Sequence, residues 1–310
     1  MRIILIGQAA FGAKVLETLM QKEEWVVAVY TVPDKPGGRP DALKEAAEAR
    51  GLPVIQPKTY KEETVFLEYR ELKPDLTVMA FVTDIIPQRY FSVPTHGTIN
   101  YHPSLLPRHR GGSAINWAVI MGEKKTGLTI FWPDEGIDTG PILLQKEVEI
   151  GEDATTGSLY FNHLFPMGVD AILKSIELIR DGRAPRRPQP EAEATYEPLC
   201  DDRVAGIDWT KPAEEVFNLI RGCDPQPGAY SHLKGEKIRF YGAKLLKEVP
   251  DEAPGMITRI DEKGLHVAAT GGLLVVSSLK KETGKKIAPT ELAAQLEFQV
   301  GNRFTAQSQA

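Results

Sequence analysis

The amino-terminal half alternates short, continuously apolar runs with stretches that repeat at helical spacing. Arg2 to Ile6 reads as a buried strand, Gly7 to Gly12 as a turn into a helix reaching about Gln21, and Trp25 to Thr31 as a second strand. Strands without a polar face belong to parallel sheets covered on both sides, so this β-α-β opening predicts an α/β domain. Further helices are expected at Asp41 to Arg50, Glu62 to Leu72 and Ser113 to Met121, with a loop and helix start at Ile85 to Pro87. Further strands are expected at Pro53 to Ile55, Leu76 to Phe81, Thr98 to Tyr101, Gly127 to Trp132 and Leu143 to Ile150. Thr155 to Arg180 has the spacing of a long helix that Pro166 can kink, its apolar face including Leu159, Leu164, Val169, Ile172, Leu173, Ile176 and Ile179.

Between Gly182 and Pro198 proline and charge replace this periodicity, which predicts a linker or an extended strap. Pro212 to Arg221 then reads as a short amphipathic helix stopped by Gly222. Short strands follow at Ala229 to Ser231, Lys237 to Tyr241, Ala243 to Glu248, Gly255 to Ile260, Gly264 to Ala268 and Leu273 to Val276, the spacing of a small β-barrel or compact antiparallel domain. A last helix is expected at Pro289 to Leu296 and a frayed tail at Thr305 to Ala310. The organisation predicted is a Rossmann-like parallel sheet domain over residues 1–182, a linker over 183–205 and a smaller β domain over 206–310.

Composition narrows the class of protein. A chain of 310 residues that is 42% apolar can fill two moderate cores, and a formal charge of -5 does not suggest a general nucleic-acid binder, although an acidic domain can carry a local basic face. Cys200 and Cys223 have no metal-ligand spacing and make no disulfide framework. The chain enters a strand-like run at once, and no apolar run nears the roughly 20 residues that span a bilayer, so a soluble cytoplasmic protein is expected. Gly7 and Gly12 form GxxxxG without the central glycine that admits a pyrophosphate, which reads as a tight strand-to-helix turn rather than a dinucleotide site. Lys35 and Arg39, and the run Lys280 to Lys286, are solvated surface or contacts for an anionic ligand or RNA phosphates.

The candidate chemistry lies between Gly97 and Gly140. Asn100 and His102 are two apart in a predicted strand, so their side chains share a face, and Asp138 follows the next strand in the chain. A neutral imidazole takes a proton from an attacking amine or water, a carboxamide NH2 donates to an oxygen gaining negative charge, and a carboxylate orients the imidazole or relays a proton. Ser104 follows Pro103 in no nucleophile elbow and neither cysteine is near, so acyl transfer or hydrolysis without a covalent intermediate is implied. Asn and Asp capping a surface turn would give the same pattern, and a binding protein without turnover is the other class of reading. His96 and His109 read as exposed or structural, and with His102 they form no metal set. The apolar side chains Phe81, Val82, Ile85, Ile86 and Pro87 follow a predicted strand end, where open α/β sheets bind ligands, and they line a flat pocket or belong to the core.

The run Ile99-Asn100-Tyr101-His102-Pro103-Ser104-Leu105-Leu106-Pro107-Arg108, followed by Gly136-Ile137-Asp138-Thr139-Gly140, resembles the folate-dependent formyltransferase family. The resemblance extends over nearly the whole chain, with Ile207-Asp208-Trp209, Ile220-Arg221 and Pro227-Gly228-Ala229-Tyr230 resembling the start of that family's OB-like carboxyl-terminal β-barrel domain. It implies Asn100, His102 and Asp138 as catalytic residues and 10-formyltetrahydrofolate as co-substrate, with no metal. It also implies that Phe81, Val82, Ile85, Ile86, Pro87, Asp134 and Gly136 border the folate, and that Ser104, Leu105, Leu106 and Arg108 meet the acceptor. Much of the chain resembles the hydrolase domain of 10-formyltetrahydrofolate dehydrogenase, which usually has an aliphatic residue where Asn100 stands; Asn100 matches the transferases. Transfer to an amine, most readily that of methionyl initiator tRNA, is therefore the expected reaction and hydrolysis the alternative. The short loop Pro36 to Pro40, where tRNA-modifying relatives carry a longer basic one, argues against tRNA.

Overall fold

The computed structural model describes residues 1–305. In chain order its elements are β1 (Arg2–Gly7), α1 (Ala9–Gln21), β2 (Trp25–Tyr30), α2 (Ala42–Glu48), β3 (Val54–Ile55), α3 (Glu63–Glu71), β4 (Leu76–Ala80), β5 (Thr98–His102), α4 (Ala114–Ile120), β6 (Lys125–Phe131), β7 (Ile142–Glu149), α5 (Thr156–Leu159) and α6 (Phe165–Arg180). They continue as α7 (Ala213–Gly222), β8 (Ala229–Leu233), β9 (Glu236–Leu246), β10 (Ile257–Asp261), β11 (Gly264–Ala269), β12 (Gly272–Lys281) and α8 (Pro289–Leu296). The chain packs as two compact units interleaved in sequence: the first holds 1–111, 127–148 and 162–196, the second 112–126, 149–161 and the rest.

The first unit is built on a seven-stranded sheet in the order β3-β2-β1-β4-β5-β6-β7. Pairing is parallel from β3 through β5, as the apolar runs predict, but β5 and β6 pair antiparallel, with Asn100 opposite Phe131 and His102 opposite Thr129. The sheet is therefore mixed. A strand buried on both faces is apolar throughout whichever way it runs, so the pattern carried no sign of the reversal. On one face Ile4 and Ile6 pack with Tyr30, Tyr60, Tyr69 and Tyr90 in a tyrosine-rich core. The alternate residues Ile3 and Leu5 are equally inaccessible on the other face. Gly7 has no room for a side chain, because a Cβ there would stand 2.3 Å from the Ala80 carbonyl oxygen on β4. Close strand packing thus explains that glycine without a dinucleotide.

The long helix predicted from Thr155 to Arg180 is interrupted. A π-helical stretch, Tyr160–Leu164, joins α5 to α6 immediately before Pro166, whose missing N–H breaks the ordinary ladder. The stretch expected to be a linker or an extended strap is paired as a strap: Arg187 bridges Ile142, Tyr196 bridges Arg110, and a 3-10 turn occupies Glu191–Glu193.

The second unit holds a five-stranded antiparallel sheet in the order β10-β11-β12-β9-β8. No pairing closes it into a barrel among the described residues. Its core includes Trp209, Phe217, Ile220, Phe240, Leu274 and Phe304. Two predicted strands are one, since β9 runs through Gly242 with its register against β12 unbroken. Thr305 exchanges backbone hydrogen bonds with His232 at 3.0 and 2.9 Å rather than fraying, and the remainder of that predicted tail lies outside the described residues. Among the described residues, no helix is long and apolar enough to cross a membrane.

Candidate active site

β5 ends at His102, and its two-residue repeat sets Asn100 and His102 on one face. Asp138 reaches the imidazole from the loop after β6: its Oδ2 stands 3.4 Å from His102 Nδ1 and accepts the Gly111 N–H at 2.7 Å. His102 Nε2 lies 2.7 Å from the His109 carbonyl oxygen. A carbonyl only accepts, so Nε2 carries the proton in that contact, and in the neutral ring Nδ1 is the basic nitrogen. The imidazole is buried, and the Asp138 side chain keeps 14% of its surface.

Asn100 is half-buried, and its Oδ1 is inaccessible without a hydrogen-bond partner among the described residues. Leaving a buried amide oxygen unpaired costs about 1–3 kcal/mol. Nothing fixes which end of the carboxamide occupies that position, so it can present either a carbonyl or an NH2 to a visiting group. A tunable donor beside a neutral imidazole and a carboxylate is an arrangement for acyl chemistry.

The loops that carry these groups are held by residues that the sequence reading missed. Arg110 is 1% exposed and spends its guanidinium on three side chains. Nε and Nη2 donate to Gln189 Oε1 at 3.1 and 3.0 Å, Nη1 and Nη2 to the Glu191 carboxylate at 3.0 and 2.8 Å, and Nη1 to Tyr196 Oη at 2.7 Å. These bonds hold the Glu191 carboxyl below its ordinary range and raise the guanidinium in turn. Gln189 Nε2 donates to the carbonyls of Asp138 and Gly140 at 2.8 and 2.7 Å. The 187–196 strap therefore ties the loop bearing Asp138 to the loop bearing His109 and Gly111. From below, Thr129 Oγ1 donates to the Ser104 carbonyl at 2.7 Å, and Gln145 donates to that of Leu106 at 2.9 Å. Gly140 packs so closely on the residue following β6 that a Cβ would meet the Trp132 carbonyl oxygen at 1.8 Å.

The expected ligand contacts divide. Phe81 and Ile85 are exposed, 44% and 80%, at the carboxyl end of β4, whereas Ile86 and the half-buried Val82 join the tyrosine core and Pro87 caps a short 3-10 turn. Asp134 Oδ1 is engaged by Gly136 N and Thr139 Oγ1, a brace within the loop. Ser104 is buried with its hydroxyl donating to the Arg108 carbonyl at 2.6 Å, Leu106 is buried, Leu105 is half-buried, and Arg108 is exposed. His109 is buried and serves through its carbonyl, while His96 is exposed. A cavity of about 610 Å³ lies at the amino-terminal end of β5, away from His102, and of the expected folate contacts only Asp134 borders it. Lys35 and Arg39 are exposed, and Lys286 turns to Asp224 at 3.3 Å and to the Tyr241 ring. Among the described residues, no group of three or more His, Cys, Asp or Glu is placed to hold a metal.

Residues 1–166 match the protein family described as Formyl transferase, and residues 202–297 match the Formyl transferase, C-terminal domain. Mitochondrial 10-formyltetrahydrofolate dehydrogenase of Mus musculus is 43% identical over 309 residues, covering 94% of this chain but 33% of that protein. The chain thus spans about a third of the length of that curated relative. Methionyl-tRNA formyltransferase of Acetivibrio thermocellus is 38% identical over 297 residues, covering 94% of this chain and 95% of the relative. Among solved structures, HypX from Aquifex aeolicus in complex with tetrahydrofolic acid superposes with a TM-score of 0.71 at 18% identity, covering 99% of this chain and 51% of that one. WlaRD, a sugar 3N-formyl transferase with dTDP and 5-N-formyl-THF, gives 0.69 at 18% identity, covering 92% and 99%. At such identity these two likenesses concern the fold.

Proposed function

The chain belongs to the formyl transferase family, and from that premise we propose that it takes the formyl group of 10-formyltetrahydrofolate at Asn100, His102 and Asp138 and passes it to water, releasing formate and tetrahydrofolate. The observation that carries the site is Asn100 Oδ1, inaccessible and without a hydrogen-bond partner among the described residues, on the same strand face as an imidazole whose other nitrogen is already committed. Water as acceptor is supported by the resemblance to the hydrolase domain of 10-formyltetrahydrofolate dehydrogenases, together with the 43% identity to such a protein. Transfer to an amine, with methionyl initiator tRNA as the leading candidate, is the second reading. Asn100 favours it, as does a methionyl-tRNA formyltransferase relative that matches end to end at 38%.

The bound folate supplies an electrophilic formyl carbon and a nitrogen that departs. His102 Nδ1 takes the proton of the attacking water or amine, a role that general-base groups fill with about 10²–10⁴-fold effect. The imidazolium so formed keeps its Nε2–H on the His109 carbonyl and faces the Asp138 carboxylate across 3.4 Å, where it can give its proton on to the leaving nitrogen. Asn100, turned with NH2 inward, donates to the oxygen that gains charge. Phe81 and Ile85 offer apolar surface to a flat ring at the adjoining strand end. Division into a catalytic domain over 1–182, a connecting segment over 183–205 that carries the strap, and a carboxyl-terminal OB-like domain over 206–310, with a cytoplasmic setting, completes the proposal.

The test is tetrahydrofolate release from 10-formyltetrahydrofolate by purified protein, with and without methionyl initiator tRNA. Equal release without any acceptor supports hydrolysis. Release that requires the tRNA, with formyl-methionyl product, replaces it by the second reading. Folate-independent tRNA binding with no turnover would overturn both.

A further inference from the structure

Cys200 and Cys223 lie far apart in sequence, yet both belong to the second unit, where their sulfurs stand 3.6 Å apart as free thiols. Their surroundings differ. Cys223 caps the carboxyl end of α7 and is wholly inaccessible, its N–H and carbonyl bound by Leu219 and Gly228. Cys200 is half-buried and lines a cavity of about 580 Å³ with Ser113, Asn116, Asp201, Gln226 and Pro227. Its N–H donates to Ser113 Oγ at 3.0 Å, which anchors the backbone beside the cavity. We propose that Cys200 and Cys223 are an oxidation site, with Cys200 the thiol that meets a peroxide entering the cavity and Cys223 the buried thiol that resolves it into a disulfide.

The geometry supplies what each step needs. Closing from 3.6 Å to a bond of about 2.05 Å asks for a sulfur movement of about 1.5 Å, within reach of a side-chain rotation. The Cys200 thiolate attacks one peroxide oxygen and the O–O bond breaks; with a proton from solvent the products are a sulfenic acid and one water. The Cys223 sulfur then attacks the Cys200 sulfur, the S–O bond breaks, and the hydroxyl leaves with the Cys223 proton as a second water. Two thiols are oxidised and one peroxide is reduced. The hydrogen bond from Cys223 lowers the Cys200 thiol, against burial and Asp201, whereas that same contact and then burial raise Cys223. This division matches an attacking and a resolving partner. Asn100, His102 and Asp138 belong to the other unit, and none of them is used in these steps.

The experiment exposes the full chain to hydrogen peroxide, alkylates it with iodoacetamide under denaturing conditions, and maps peptides without reductant. The expected result is loss of both alkyl adducts with a cross-linked Cys200 and Cys223 peptide pair, reversed by dithiothreitol. In Cys223→Ser the expected product is a dimedone adduct on Cys200, and in Cys200→Ser the buried Cys223 should remain alkylatable. A wild-type chain that keeps both thiols alkylatable, or that stops at oxidised Cys200 with Cys223 free, overturns the proposal. The wild-type result decides it even where a variant fails to fold.

Discussion

Gln189 offers the sharpest separation between holding the fold and placing the groups proposed for catalysis. Its Oε1 takes two N–H groups of buried Arg110 and its Nε2 gives two to the Asp138 and Gly140 carbonyls, an orientation the partners dictate because a guanidinium only donates and a carbonyl only accepts. Gln189→Leu removes both sets. Two neutral bonds at about 1 kcal/mol each, and two unpaired N–H groups of a buried cation at no less than about 1 kcal/mol each, imply a stability loss of at least about 4 kcal/mol. Gln189→Glu differs in one respect: it keeps an acceptor for Arg110 and adds charge attraction there, but sets a carboxylate oxygen against two carbonyl oxygens.

Thermal unfolding of Gln189→Glu should therefore lie within about 1 kcal/mol of wild type, the gain at Arg110 offsetting the two lost carbonyl bonds. Turnover should not be spared. Asp138 would be pushed off its 3.4 Å approach to His102, and a displacement of about 1 Å at a reacting constellation costs roughly 10²-fold. The assay is tetrahydrofolate release at saturating 10-formyltetrahydrofolate, read beside the melting curve. A Gln189→Glu protein with wild-type kcat would refute the reasoning, because the tether would then play no part in setting Asp138.

His102→Ala should leave folate binding in a fluorescence titration largely intact while lowering turnover about 10²–10⁴-fold, and an undiminished rate would remove His102 from the mechanism. Asn100→Ile should reduce transfer to an amine more than hydrolysis; equal losses measured in both assays would show that its donor is not selective. Asp202 is held down to about 2, chiefly by its hydrogen bond with Arg239 and then by Lys237. Its folded value is below the unfolded one of about 3.9, so its contribution is present above about pH 4 and disappears as pH falls through about 2. With 44% of that side chain exposed, Asp202→Asn should cost at most about 1 kcal/mol at pH 6, and the gap from wild type in denaturant titrations should close by pH 2.

The shared face of Asn100 and His102 was legible in the chain because strand periodicity puts residues two apart on one side, whereas the approach of Asp138 to His102 depends on a loop that no periodicity places. Ile86 and Ser104 show the limit of the same reasoning. An apolar residue at a strand end and a serine in a motif suit a ligand or the interior equally well, and here Ile86 packs on tyrosines while the Ser104 hydroxyl serves the Arg108 carbonyl. The strap was harder to read, since its order comes from hydrogen bonds to one buried cation and not from a hydrophobic face. Gln189, Glu191 and Tyr196 sit 79, 81 and 86 residues from Arg110, in a proline-rich stretch that looks like a spacer. A physical signal for it nevertheless existed. Arg110 ends a run in which Asn100 and His102 stand among buried Ile99, Tyr101 and Leu106, and a guanidinium enclosed there needs about five acceptor contacts to offset its lost hydration. The segment able to supply them is one in which a carboxylate, a carboxamide and a phenol cluster without apolar periodicity. Reading an enclosed arginine as a demand for acceptors elsewhere in the chain turns such a spacer into part of the site, and the Gln189 pair of substitutions measures how much of catalysis depends on it.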